Sequence, residues 1–165
     1  MLNNQENKNR IIELFPDLLN DPSFEIIDGP NPNYNCIAWA ANIKDAWYQN
    51  LPHDKRPTFR FDGVKFDWPF DAPDEFSINS LTQIFTYLGY EECQNGTYIE
   101  GYKKVVFYQK DGVATHAARQ LTFGKHKGKW TSKLGPFFCI VHGTPESIIN
   151  NTYGEPIFFM KKNMN

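Results

Sequence analysis

In the stretch NYNCIAWAAN, Cys36 stands where a Pro- and Asn-rich run, GPNPNYN, gives way to Ile, Ala and Trp. The first run resists helix and the second invites it, so the thiol falls at a predicted helix start. Free N–H groups and the positive end of a helix dipole favour a thiolate there. His116, in THAARQ, is the histidine embedded in a strand pattern. A helix-borne cysteine facing a strand-borne histidine has a definite chemistry. The imidazole takes the thiol proton, the sulfur attacks an amide or ester carbonyl to form a thioester, and the imidazole returns the proton to the leaving group. N–H groups around Cys36 would receive the oxyanion.

A third residue should orient the imidazole. A hairpin turn over 124–128 with opposed ends places Gln120 opposite Ser132 and Ala118 opposite Leu134, which puts His116, Ala118 and Gln120 on one face with Ser132 on the neighbouring strand. Ser132 is therefore the first candidate and Gln120 the second, with the His116 side chain expected to face the Cys36 helix. A one-residue slip would point Thr131 or Lys133 inward instead. Asn33 and Asn35 flank the thiol, where an amide can cap the helix or bind a substrate oxygen. Trp39 and Trp130 could line a substrate cleft, or simply fill the core. The plain alternative for Cys36 is also packing, since cysteine is among the most buried residue types. Cys93 after a helix end and Cys139 in PFFCIV lie in ordinary packing contexts, and His53 and His126 lie in polar loops.

The elements that must position these residues come in a telling order. Ile11, Ile12, Phe15 and Leu18 predict a helix over 9–19, interrupted at Pro16. A second helix is expected from about 36 to 48, and a third after a cap at Asp74 or Ser77, ending at Gly89. Between them, PTFRFDGVKFDWPFDAP has the prolines and aromatics of one or two short strands. From Gly101 the period changes to two, and residues 103–109, 113–123 and 129–135 read as successive antiparallel strands, with a last strand in EPIFFMKK. Helices first and a meander second is an α+β layout.

Length and charge narrow the classes. A chain of 165 residues, 41% hydrophobic, holds one core, so a single domain is expected with residues 1–30 as a helical extension. A formal net charge of -2 argues against nucleic acid as a partner, and four lysines in KHKGKWTSK read as a solvated hairpin edge. Three widely spaced cysteines make no disulfide framework, and no CxxC pair or Cys/His cluster suggests a metal, so no cofactor is expected. MLNNQENKNR has no apolar h-region, and no segment approaches the ~20 apolar residues of a membrane span. A soluble, cytoplasmic protein is expected, or an effector delivered without a signal peptide.

The segments NYNCIAWAA, GYKKVVFY, THAARQL, KWTSKLG and IVHG together resemble a family of short bacterial and phage proteins in which NCIAWA, HAARQ and WTSKLG recur in this order. That family is similar in turn to the NlpC/P60 branch of papain-like cysteine hydrolases. The resemblance implies a papain-like fold, Cys36 as nucleophile, His116 as base and a polar third member on the following strand. Serine at 132 departs from the His, Asn, Asp or Gln more usual there, and Cys139 stands where the relatives tend to carry an acid. The implied activity is a thiol hydrolase, a peptidase, amidase or deamidase acting on a peptide or protein. The alternative is a non-catalytic binding module on the same fold.

Overall fold

A computed structural model describes residues 1–60 and 62–165; Phe61, inside the expected aromatic strand region, lies outside the described residues. The chain is α+β, with a seven-stranded sheet at its centre. Helix α1, Gln5–Leu14, is capped by Asn4, whose side chain accepts from the Asn7 N–H, and a 3₁₀ turn at Pro16–Asn20 follows it. Pro16 splits the expected single helix because its ring cannot continue one. Strand β1, Glu25–Asp28, then pairs antiparallel with the edge of the sheet, so the N-terminal extension is not purely helical.

Helix α2 is Cys36–Ala40, far shorter than the expected span to residue 48. Asn42 adopts a left-handed φ of 64°, a conformation that ends a helix and that asparagine tolerates. Strands β2 (Trp47–Tyr48), β3 (Thr58–Phe59) and β4 (Lys65–Asp67) form a small separate sheet. Helix α3, Ile78–Tyr87, starts at the Ser77 cap and buries Leu81, Ile84 and Phe85.

The remaining strands are β5 (Glu91–Cys93), β6 (Tyr102–Lys110), β7 (Val113–Gln120), β8 (Trp130–Lys133), β9 (Cys139–His142) and β10 (Glu155–Asn163). Their order across the sheet is β1-β9-β8-β7-β6-β10-β5. Each face carries its own core. One is packed with α2, α3 and the small sheet, through Ile37, Trp68, Phe85, Val105, Phe107 and Ala117. The other is packed with α1, through Ile11, Phe15, Val106, Tyr108, Ala118 and Ile140. The sheet is a septum between two dry layers, and which face a side chain takes decides what it can reach.

Two features of register correct the expected layout. The β7–β8 pairing is Arg119↔Thr131 and Gln120↔Trp130, two residues away from the expected rungs. The turn begins two residues earlier on β7 than expected, with Leu121 and Lys129 hydrogen-bonded across its base. A shift of two preserves the faces, so His116 and Ser132 still share one. Between β6 and β7, however, Tyr108 pairs with His116 while Gln109 pairs with Ala114, leaving Thr115 as the extra residue of a bulge. The bulge breaks the alternation at Ala114 and leaves His116, Ala118 and Gln120 on one face. Ala114 and Ala117 face α2 and α3, whereas His116 faces the α1 layer. Thr131 and Lys133, not Ser132, are turned toward α2.

Candidate active site

On the α2 side, Asn35 builds the helix start. Its Oδ1 accepts from the N–H groups of Ala38 (3.3 Å) and Tyr48 (3.1 Å), and its Nδ2 donates to the Tyr48 carbonyl at 2.7 Å. Both ends of the amide are spent, so Asn35 is a clamp between α2 and β2 rather than a free donor for substrate. Asn33 is exposed, and its backbone N–H closes a turn on the Asn31 side chain.

Cys36 is 9% exposed. The backbone N–H groups of Ala117, Ile37 and Cys36 lie near enough to its sulfur to favour the thiolate. The β7–β8 rungs run only from Arg119 and Gln120, so the Ala117 N–H beside the thiol lies outside that ladder. Burial nevertheless pushes the thiol up to about 11, outweighing these N–H groups and the Lys133 ammonium. The expectation of a thiolate held by a helix dipole therefore fails: a helix of five residues has little dipole to offer. Around the thiol, Trp39 donates its indole N–H to Thr131 Oγ1 at 3.1 Å, Thr131 Oγ1 lies 3.7 Å from the Cys139 sulfur, and Lys133 Nζ donates to the carbonyls of Asn31 and Gly135 at 2.8 and 2.6 Å.

On the other face, three consecutive strands hold a fully buried polar chain. His116 Nε2 lies 2.9 Å from Ser132 Oγ, which lies 2.8 Å from His142 Nε2, and His142 Nδ1 lies 2.8 Å from the Thr144 carbonyl. The direction of every hydrogen follows from that last acceptor. A carbonyl only accepts, so His142 Nδ1 donates. Burial lowers the His142 pKa to about 4, leaving its Nε2 as an acceptor, which takes the Ser132 hydroxyl proton. Ser132 can then only accept from His116 Nε2. The remaining nitrogen, His116 Nδ1, is buried and unpartnered, and it carries a bare lone pair. Burial and the second imidazole hold His116 well below the usual histidine range, so the lone pair stays unprotonated at neutral pH. The ring is clamped by Tyr153, stacked at 4.1 Å between centroids, and by Tyr108 edge-on at 5.2 Å.

The predicted site residues are thus only partly brought together. Ser132 does contact the His116 imidazole. Gln120 does not: its Nε2 donates to the carbonyls of Gly96 and Gly128. Trp39 lies on the α2 face and Trp130 in the opposite core, so they line no common cleft. Cys36 and His116 meet across the backbone at Ala117, and no hydrogen bond joins their side chains among the described residues. His142 is the member that sequence reasoning left without a role. The signal was available in IVHG, where an apolar strand ends in a buried histidine opposite the WTSK strand. Arg119, whose Nε donates to the Trp39 carbonyl at 3.0 Å, likewise ties α2 to β7.

Residues 25–161 match the family described as Domain of unknown function (DUF7689). The chain belongs to that family. No curated protein and no solved structure matches it. Every site residue of this DUF7689 chain falls within the matched span. Among the described residues no helix is long and apolar enough to cross a membrane, and no group of three His, Cys, Asp or Glu side chains could hold a metal ion.

Proposed function

We propose that this DUF7689 chain is a papain-like thiol hydrolase in which Cys36 is the nucleophile, His116 the base and Ser132 the residue that orients it. The observation carrying this reading is the bare lone pair on His116 Nδ1, at the end of a chain of hydrogen bonds that permits no other tautomer. A buried imidazole with one nitrogen held and the other free is what a general base requires. With the thiol pushed up to about 11, the resting pair is neutral. Proton transfer would accompany attack, as with a serine nucleophile, in place of a preformed ion pair. The sulfur bonds to the carbonyl carbon of an amide or ester, its proton passes to Nδ1, and Ser132 Oγ accepts from the Nε2–H of the imidazolium that results. The leaving amine or alcohol takes the proton from Nδ1, and water then releases the thioester. The N–H groups near Cys36 are the donors available to an oxyanion. Because the imidazole lies on the far face, transfer must pass through the break between β7 and β8.

The expected substrate is a peptide or protein carbonyl. p-Nitrophenyl acetate tests the pair directly: a burst of nitrophenolate with acetylation of Cys36, seen by peptide mass mapping, is expected from the native chain. Cys36→Ser and His116→Gln should each abolish the burst while circular dichroism shows both folded. Acetylation confined to Cys93, which is half-buried, or an undiminished burst in a folded His116→Gln protein, sinks the proposal.

One observation favours the non-catalytic reading, a binding or interaction module. His116, Ser132 and His142 are all 0% exposed. If Cys36 is acetylated only after unfolding, the polar chain is a structural element and the protein acts by recognition.

A further inference from the structure

On the α2 face, at the end of the sheet away from Cys36, lies a hollow of about 410 Å³ lined by Ala40, Asn42, Tyr90, Lys103, Arg119 and Phe123, among others. None of its lining residues is acidic. Lys103 of β6 and Arg119 of β7 line it, and Lys162 of β10 stands beside it, its Nζ 6.0 Å from the centroid of the lining Tyr90 ring; Lys104, which also borders it, spends its ammonium on the Asn95 carbonyl. Lys103 and Lys162 are directly opposite each other across the β6–β10 ladder. Like charges at such a pair repel; the next rung, Lys104 opposite Lys161, is also a lysine pair, but there Lys104 donates to the Asn95 carbonyl and Lys161 is paired with Glu91. Among the described residues none of Lys103, Arg119 and Lys162 is in an ion pair, although Lys125, Lys127 and Lys161 each have one. The repulsion is felt by Lys103, whose pKa is lowered by partial burial and then by Lys162 and Arg119. Arg119 is held in place, stacked with its guanidinium carbon 4.3 Å from the Trp39 ring centroid while its Nε bonds the Trp39 carbonyl. Its two Nη groups are left for a ligand. Tyr90 and the 82%-exposed Phe123 offer apolar surface beside the charges.

We propose that this hollow is a binding site for a phosphorylated small molecule, a phosphomonoester or diphosphate, held by Lys103, Arg119 and Lys162. Three convergent cations match a group of charge −2 or more, whereas a single carboxylate would leave two of them uncompensated. The planar guanidinium supplies the fork that phosphate oxygens accept, and the two ammonium groups supply point charge. This site is separate from the hydrolase reading, and neither depends on the other.

The test uses pyrophosphate and the full chain. Isothermal titration should show one-site binding, with a rise in melting temperature that exceeds the effect of chloride at equal ionic strength. The double variant Lys103→Gln, Lys162→Gln should weaken pyrophosphate binding at least tenfold. The same variant should melt no lower than the native chain without ligand, because a repulsive pair has been removed. Arg119 is left intact because it also braces α2. Equal binding by native and double-variant chains, or no effect beyond that of chloride, overturns the proposal. Citrate binding as tightly as pyrophosphate overturns the assignment to phosphate.

Discussion

The two faces of strands β7, β8 and β9 bury polar side chains in opposite ways. Toward α1, His116, Ser132 and His142 form one chain whose every hydrogen has a fixed direction, ending on a backbone carbonyl. Toward α2, Thr131, Lys133, Cys139 and Cys36 make separate contacts, and Lys133 reaches out to loop carbonyls. A directed chain is intolerant, because losing one member strands its neighbours in a dry layer. Separate contacts fail one at a time. The first face is therefore expected to govern acid stability and the second to govern the response between pH 9 and 10.

The largest effect should come from acid. The folded pKa of His142 is about 4 and that of His116 is also depressed, against an unfolded value near 6.5. Groups depressed in the folded state stabilise it fully above the unfolded pKa, and that contribution is lost as pH falls from about 6.5 toward 4. Two such groups give a slope close to 3 kcal/mol per pH unit, and several kcal/mol in total. Urea titrations across this range should show it, with the slope roughly halved in His142→Gln. A flat profile would mean that the two imidazoles are not buried neutral.

Next in size is Ser132→Ala, which strands the His116 Nε2–H and the His142 Nε2 together. A loss of about 2–4 kcal/mol is expected from denaturant unfolding. Asn35→Ala should follow, at about 1–3 kcal/mol, since it removes the α2 cap and both bonds to Tyr48. In base the other face responds. Cys36 and Cys139, both raised to about 11, contribute stability below pH 9 that is lost as pH climbs to 11, while Lys133, lowered to about 8, gains in the opposite sense between 8 and 10.5. The terms partly cancel between pH 9 and 10, so a shallow decline is expected there, steeper in Lys133→Met; above pH 10 the desolvated tyrosines, Tyr108 and Tyr153 among them, add to the loss.

The smallest effect should be that of Lys133→Met at neutral pH, within about 1 kcal/mol of native in either direction. The ammonium is partly desolvated, so losing its two bonds is offset by ending that cost. A loss as large as that of Ser132→Ala would erase the distinction between the faces.

Much of this was readable from residue order. The α+β succession, the cap at Ser77, strands β6, β7 and β8, the placement of Cys36 at a helix start and the sharing of one face by His116 and Ser132 all follow from periodicity and capping chemistry, which act within a few residues. Strand β1 was not legible, because its four residues pair with a segment more than a hundred positions away and carry little pattern of their own. The early end of α2 turned on a single left-handed residue, Asn42, amid a run of good helix formers.

What tertiary structure alone decided was the face. Alternation says that residues two apart share a side, and it cannot announce that Thr115 will be squeezed out as a bulge. That one inserted residue turned Ala114 to the α2 layer, while His116, Ala118 and Gln120 kept their common face, and packing alone made that face the α1 layer, where Ser132, His142 and Tyr153 receive the imidazole. The same holds for the thiol. Residue type and helix position set Cys36 up as a nucleophile in sequence, but its pKa depends on how much water and how many neighbours reach it. Only the packing of α2 against β7 and β8 determines that, because desolvation is a property of everything within a few ångströms and not of the chain on either side.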